Sequence, residues 1–107
     1  MALKPLVFQV LLALADGDRH GWSLVREIQQ RGDFDAIMPG NFYRTLRGMM
    51  AEGLIEESAP KGKADADQRR RYFRLTAAGA TAAAAEARRL EALVVESRAK
   101  KLLAKRG

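Results

Sequence analysis

Hydrophobic residues recur at helical spacing in four stretches of the chain and alternate with polar residues in two shorter ones. The N-terminal stretch has a proline in its first turn and Gly17 just past its end, which are the start and stop signals of a helix. Its apolar positions are Leu3, Leu6, Val7, Val10, Leu11 and Leu14. Because they cover more than half of the helix circumference, we expect burial on two sides, against the chain's own core and against a second subunit.

Residues 21–31 form the second predicted helix. Its inward positions are Leu24, Val25 and Ile28. His20, the only histidine, precedes this helix, and we expect it to serve the helix start or to pack, with a phosphate contact as the functional alternative. Trp22 lies in the first turn, and we expect its ring to pack against the core, with stacking on a ligand as the alternative.

The stretch 38–55 predicts a third helix with two unlike faces. A proline is tolerated in its first turn, where the missing N–H would have no helical partner, and Gly53 ends the helix. One face is apolar and carries Phe42, Leu46, Met49 and Met50. The other face, with a tyrosine at its boundary, offers hydrogen-bonding groups for base edges or phosphates on Asn41, Tyr43, Arg44 and Arg47. Gly48 on this face would let another surface come close. Taken alone, such a helix is more often a solvated face, and the segments that follow it favour the alternative, a recognition helix.

After Gly53 the apolar period changes to that of strands, over 54–58 and more clearly over 71–76. The segment between these strands is polar, contains glycine and is rich in basic side chains. The basic residues are Lys61, Lys63, Arg69 and Arg70, with Arg71 at the start of the second strand. We predict a β-hairpin whose basic tip reaches a phosphate backbone, because it directly follows two helices joined as a helix-turn-helix.

The last predicted helix runs from its cap, Thr76, to about residue 105 and carries an apolar stripe about 40 Å long. A domain of this size cannot cover so long a stripe. We therefore expect it to pack on the same helix and on the first helix of a second copy. The predicted interface comprises Leu3, Val7, Val10, Leu90, Leu93 and Val94. A single overhanging helix, kept in solution by its charged residues, is the alternative.

The composition narrows the choice of partner. The chain has 107 residues, with 19 Lys and Arg against 13 Asp and Glu, and a net charge of +6. The positive excess lies in 38–76 and 77–107, which favours a polyanion such as nucleic acid. The absence of cysteine excludes disulfides and thiolate metal sites. Neither a signal peptide nor a bilayer-spanning segment is evident, so we expect a cytoplasmic protein without a membrane partner.

The residues that catalysis usually needs are not grouped in this sequence. The single histidine and the serines Ser23, Ser58 and Ser97 have no evident partner base. The three Asp-x-Asp pairs fall in predicted turns, without the glycine and distal glutamate of a calcium loop. We therefore expect no enzymatic activity, no metal and no cofactor.

Four short motifs are specific in their order and spacing. They are HGW at 20–22, PGNFYRTL at 39–46, EGLI at 52–55 and RRRYFRLT at 69–76, followed by Gly79. Through these motifs the chain resembles the PadR-like winged helix-turn-helix transcriptional regulators, in the short form with a single C-terminal helix, and the resemblance covers about residues 6–79. The resemblance implies a mainly α fold with a small β-hairpin wing, a DNA-binding domain over 1–76 and a dimerisation helix over 77–107.

The resemblance also implies a function. Such regulators are generally dimeric repressors, so we expect a homodimer on a pseudo-palindromic operator of double-stranded DNA. The residues implied to face the major groove are Asn41, Tyr43, Arg44 and Arg47. Those implied to approach the backbone or minor groove are Lys61, Lys63, Arg69, Arg70 and Arg71. Asn41 and Arg44 depart from the residues common in the family, which should change the preferred bases rather than DNA binding itself.

Two further points stay open. Many members of the family are released from DNA by a small molecule held between the subunits. No aromatic residue follows Phe73 here, so the last helix offers no stacking platform, and an effector has no support from these residues.

The alternative function is a winged-helix module that uses the same basic face to bind an acidic protein.

Overall fold

The structure, a computed structural model, describes residues 3–31, 39–58 and 71–104. Its elements in chain order are α1 (Pro5–Leu14), β1 (Arg19–His20), α2 (Gly21–Gln30), α3 (Pro39–Ala51), β2 (Ile55–Ser58), β3 (Tyr72–Leu75) and α4 (Ala77–Ala99). The predicted fold class, mainly α with a small hairpin, is confirmed. Within these described ranges, no helix combines the length and the apolarity needed to cross a bilayer.

The core lies between α1, α2, α3 and the sheet. Its fully buried side chains include Val10, Leu11, Leu24, Ile28, Phe42, Leu46 and Ile55. The predicted apolar face of α3 is confirmed, since Phe42, Leu46 and Met49 are buried. Placing Val10 in a subunit interface was wrong. Its side chain is fully enclosed by the chain's own core, because the other helices pack on that side of α1, and it has no surface left for a partner.

The predicted end of α3 at Gly53 is confirmed by a hydrogen-bonded stop. Gly53 has a φ of 77°, a left-handed conformation that glycine adopts without a steric penalty. Its N–H donates to the carbonyl oxygen of Met50 at 3.0 Å, and the N–H of Leu54 donates to that of Met49 at 2.9 Å. These two bonds form a Schellman motif, which turns the chain out of the helix and into β2.

The sheet has three antiparallel strands in the order β1, β3, β2. Ile55 pairs with Leu75 and Ser58 with Tyr72 in the hairpin, while Arg19 pairs with Phe73 on the other side of β3. The two hairpin strands confirm the prediction. The strand β1 was not predicted, because two residues are too few to show an alternating pattern and the strand exists only through its pairing with β3.

The start of α4 docks on the turn that follows α3. Thr76 caps the helix as predicted, since its Oγ1 accepts from the N–H of Gly79 at 3.0 Å. The same hydroxyl donates to the carbonyl oxygen of Gly53 at 2.5 Å, and the N–H of Thr76 donates to that of Leu54 at 3.2 Å. Gly79 is buried against the Leu54 carbonyl. These contacts fix where the long helix leaves the domain.

The helix α4 ends earlier than predicted. Instead of continuing to about residue 105, it stops at Ala99, and Lys101 takes a left-handed φ of 64°. The N–H of Lys101 donates to the Arg98 carbonyl at 3.0 Å, and that of Leu102 donates to the Ser97 carbonyl at 2.8 Å. This is a second Schellman motif. Tertiary packing supplies most of the stability of a helix in a protein. Because residues 101–104 are all exposed, no packing contact stabilises further turns of α4.

One carboxylate is buried where α4 passes the start of α1. Glu86 is only 5% exposed, and it accepts hydrogen bonds from the Arg89 Nε at 2.9 Å, the Arg89 Nη2 at 2.6 Å and the Leu3 N–H at 3.4 Å. The hydrogen bonds from Arg89 hold the pKa of Glu86 below its ordinary value, although burial opposes this shift. The charged form of Glu86 therefore joins α4 to the segment that leads into α1.

This contact predicts a pH-dependent contribution to stability. A lowered pKa in the folded state means that the stabilisation is complete above the ordinary glutamate value of about 4.5 and is lost as the pH falls through the lowered pKa. We expect Glu86→Gln to lower the melting temperature at neutral pH. At acidic pH, the melting temperatures of the variant and the wild type should become similar. Thermal unfolding followed by circular dichroism from pH 7 to pH 3 measures this difference. Glu91→Gln, at an exposed position of the same helix, is the control and should show no such convergence.

Candidate nucleic-acid interface

The outer face of α3 presents the four side chains expected to meet DNA. Asn41, Tyr43, Arg44 and Arg47 are all exposed, while the opposite face of the helix anchors it in the core. Gly48 lies on the same outer face, and nothing stands within 4 Å of the position that a Cβ would take there. The helix therefore offers amide, hydroxyl and guanidinium groups on an open surface with a rigid support.

Two of these side chains are already in contact with each other. The Arg44 Nη1 donates to the Asn41 Oδ1 at 3.2 Å, one helical turn away. The Thr45 hydroxyl donates to the backbone carbonyl of Asn41 at 3.0 Å, so it is turned back onto the helix. A guanidinium and an amide held side by side can address adjacent base edges, because arginine matches guanine and asparagine matches adenine in the major groove.

Tyr43 connects the outer face of α3 to the start of α2. A Cβ at Gly21 would lie 3.2 Å from the Tyr43 hydroxyl oxygen, a tighter contact than side chains usually make. Glycine at this position of the HGW motif therefore lets the tyrosine ring sit close to the first turn of α2. The tyrosine ring also contacts Phe42 edge to face, with ring centroids 5.7 Å apart.

The start of α2 is held by His20, as predicted. Its Nδ1 accepts from the N–H of Ser23 at 3.2 Å, and its ring meets that of Tyr72 edge to face at 5.5 Å. The N–H of Gly21 donates to the carbonyl oxygen of Arg71 at 3.3 Å. The first turn of α2 is thus joined to the start of β3 by this hydrogen bond and by the ring contact of His20 with Tyr72.

The structure places Trp22 in an unexpected environment. Its side chain is 61% exposed, so the prediction that it packs in the core was wrong. Helical periodicity could have shown this, because at about 100° per residue Trp22 lies about 160° from the buried Leu24 and about 120° from the buried Ile28. It borders a cleft of about 330 Å³. The other residues around this cleft are Gly21, Tyr43, Leu46, Arg47, Met50, Arg71 and Phe73.

The described part of the wing carries paired charges. The Arg71 Nε lies 3.7 Å from a carboxylate oxygen of Glu57, and the Arg74 Nε lies 2.7 Å from one of Glu56. All four side chains are exposed, so each pair contributes at most about 1 kcal/mol to stability and can open to another partner. The remaining predicted wing residues, Lys61, Lys63, Arg69 and Arg70, lie outside the described residues.

The residues expected at a subunit interface divide into three groups. Val10 belongs to the core. Leu3, Val7 and Leu90 are half-buried. Leu93 and Val94 lie further along α4, where they are 52% and 37% exposed. The chain measures 53 × 28 × 25 Å, and its long dimension agrees with a helix that extends beyond the compact part of the domain. An apolar stripe is therefore open on α4.

A helical core that presents α3, followed by an antiparallel hairpin and a long final helix, defines a winged helix-turn-helix protein. Comparison with known proteins agrees with this class. The sequence profile of the transcriptional regulator PadR-like family matches residues 10–85. The chain belongs to this family, whose members are transcriptional regulators, a generally non-enzymatic class.

Solved structures of other regulators share the fold. A PadR family transcription regulator from Clostridium difficile R20291 has a TM-score of 0.70 and 20% identity, with 94% of this chain and 100% of that chain covered. A Streptococcus transcriptional regulator has a TM-score of 0.72 and 23% identity, with 90% and 91% covered. A transcriptional regulator from Clostridium thermocellum has a TM-score of 0.69 and 19% identity, with 92% and 90% covered. No curated protein sequence matches the chain significantly.

Proposed function

We propose that this protein is a sequence-specific DNA-binding transcriptional regulator that acts as a homodimeric repressor. The observation that carries the proposal is the outer face of α3, where an exposed amide, phenol and two guanidinium groups lie on a helix anchored by buried Phe42, Leu46 and Met49. Family membership supports the regulatory role. We also propose that the protein is cytoplasmic.

In this proposal α3 enters the major groove. Asn41 and Arg44 exchange their mutual hydrogen bond for bonds to base edges, and Arg47 and Tyr43 contact bases or the adjoining backbone. The wing follows the neighbouring backbone or minor groove with the basic residues Lys61, Lys63, Arg69, Arg70 and Arg71. The net charge of +6 adds an attraction for DNA that does not depend on sequence.

The dimer supplies the symmetry of the operator. A second copy covers the open stripe of α4 around Leu93 and Val94, which places two α3 helices on one side of the duplex. A two-fold dimer binds a pseudo-palindrome whose half-sites are separated by about one or two helical turns, or about 34 Å per turn. Occupation of such a site over a promoter represses transcription.

The test is a titration of the purified protein against two duplexes at two salt concentrations. One duplex is the protein's own upstream intergenic DNA, and the other is a scrambled duplex of equal length and composition. We expect tighter binding to the native duplex that persists at the higher salt concentration. Equal binding that collapses with salt would contradict sequence specificity and would favour the alternative, an acidic protein partner.

Arg44 provides a test at the level of one residue. We expect Arg44→Ala to weaken binding to the native duplex by about 1–3 kcal/mol and to relax the preference at one base pair, because a guanidinium discriminates bases through paired hydrogen bonds. Arg88→Ala removes the same charge from an exposed position of α4 and is the matched control. Unchanged affinity and base preference in Arg44→Ala would show that this face of α3 does not read DNA.

A further inference from the structure

The cleft beside Trp22 differs from the rest of the surface in combining an apolar floor with a basic, aromatic rim. Leu46 and Phe73 are buried beneath it, and Met50 is half-buried. The rim is formed by exposed side chains, namely Trp22, Tyr43, Arg47 and Arg71. Its volume of about 330 Å³ is sufficient for one sugar unit with its phosphate group.

Trp22 is the feature of the cleft that the fold alone does not explain. A tryptophan that is 61% exposed contributes little to the core, and within the described ranges no acceptor binds its indole N–H. The backbone that carries this ring is fixed at the start of α2, because the N–H of the preceding residue, Gly21, donates to the Arg71 carbonyl oxygen. An apolar ring with a free donor at its edge suits a partner that offers both an apolar surface and an oxygen acceptor.

The charges around the cleft select an anionic partner. Arg47 has no ion-pair or hydrogen-bond partner within the described ranges, and Arg71 has only the exposed contact of 3.7 Å with Glu57. None of the described residues that line the cleft is acidic. The first turn of α2 adds the partial positive charge of a helix N-terminus next to Trp22.

The cleft is also continuous with the proposed reading face. Tyr43 and Arg47 belong to both surfaces, so a duplex engaged by the outer face of α3 borders the cleft. The part of the duplex that lies beside a helix in the major groove is the sugar–phosphate backbone. Deoxyribose presents an apolar face and phosphate presents charged oxygens, which are the two properties that the cleft accommodates.

We propose that this cleft binds the sugar–phosphate backbone of one DNA strand and that Trp22 is a DNA-contacting residue. The indole N–H donates to a phosphate oxygen, the ring packs on the adjoining deoxyribose, and Arg47 and Arg71 neutralise the phosphate charge. The assignment rests on the proposed function, and it adds a backbone contact that fixes the register of α3 on the duplex. The contact is independent of base sequence.

The first experiment uses Trp22 as its own probe, since the chain contains one tryptophan. Its fluorescence is recorded while the full-length protein is titrated with the native upstream duplex and with the scrambled duplex. Binding is followed in parallel by the anisotropy of end-labelled DNA. We expect the emission maximum to shift to shorter wavelength and the intensity to change, with the same midpoint as the anisotropy for each duplex, because DNA displaces water from the ring.

The second experiment separates the indole from the positive charges. We expect Trp22→Ala to weaken binding to both duplexes by the same factor of about ten and Trp22→Phe by about three, since the phenyl ring keeps the apolar contact but has no donor. Neither variant should alter the slope of log K against log salt, because the indole is neutral. Arg47→Ala should reduce the magnitude of that slope by about 0.9 for each phosphate that the arginine neutralises in the wild-type complex.

Controls make the outcomes distinct. Val95→Ala truncates an apolar side chain that is 60% exposed on α4 and should leave DNA affinity unchanged. Thermal unfolding should be the same for wild type and Trp22→Ala, because the ring is not part of the core. A protein that binds duplex with unchanged Trp22 emission and unchanged affinity in Trp22→Ala overturns the cleft assignment but not the proposed function. A wild-type protein that binds neither duplex overturns both.

Discussion

We expect the double substitution Leu93→Glu and Val94→Glu to convert the proposed dimer into monomers and to weaken operator binding by a factor of about 10² to 10⁴. These two side chains are among the most exposed of the apolar stripe on α4, so the monomer loses little core packing when they change. In a dimer, the two-fold axis would bring four carboxylates into one apolar contact, where the burial and mutual repulsion of like charges are unfavourable.

The weaker DNA affinity follows from the absence of a second reading helix. In a dimer, binding of one α3 places the other at a high effective concentration near its own half-site, whereas a monomer has only one contact surface. Sedimentation velocity at micromolar protein concentration measures the oligomeric state, and the duplex titration measures affinity. The monomeric variant should still bind a single half-site weakly, because its α3 is unchanged.

A control variant with the same added charge tests whether the dimer contact lies on the face of α4 that carries Leu93 and Val94. Ala92→Glu with Val95→Glu adds the same two negative charges to the opposite face of α4, where Val95 is also exposed. This variant should remain dimeric. A dimer that survives Leu93→Glu and Val94→Glu would show that α4 is not the interface, and a monomeric wild type would rule out the homodimer altogether.

The second large effect is expected at Gly79. A Cβ at this position would lie 1.9 Å from the carbonyl oxygen of Leu54 and 2.9 Å from its carbonyl carbon, both of which are backbone atoms that cannot rotate away. We expect Gly79→Ala to lower the free energy of unfolding by about 3 kcal/mol, the upper range for overpacking a rigid site. The relief of the clash requires α4 to move off the turn at Gly53, which breaks the Thr76 contacts.

Gly48→Ala provides the matched comparison. It is also a glycine in a helix, but nothing lies within 4 Å of the added Cβ, so it should raise the free energy of unfolding by up to about 1 kcal/mol. Urea denaturation of both variants, with the slope m as a check on two-state behaviour, measures the difference. If Gly79→Ala unfolded at the same urea concentration as the wild type, α4 would not dock on Leu54 in solution.

The four helices and the hairpin were open to prediction because their signals are local. The apolar spacing of α1 and α3, the stop at Gly53 and the cap at Thr76 act within one or two helical turns. The outward direction of Asn41 and Arg44 follows in the same way, since a helix with one buried face turns its other face to solvent. The sequence therefore determined the four helices, the hairpin, the fold class and the composition of the outer face of α3.

Tertiary structure decided how segments distant in the chain meet. The strand β1 exists because Arg19 and His20 pair with β3, and Val10 is in the core because other elements close over it. Likewise, Glu86 binds the Leu3 N–H across 83 positions, and Gly79 must be a glycine only because the Leu54 carbonyl lies against it.

The cleft shows the same division. Periodicity alone could have turned Trp22 away from the core, but only the packing of α2 against α3 and β3 brings it beside Arg47 and Arg71. The physical reason is the distance along the chain over which each kind of interaction acts. Helix and turn preferences act between near neighbours in the chain, whereas contacts between remote residues depend on how the finished elements pack, which no local pattern encodes.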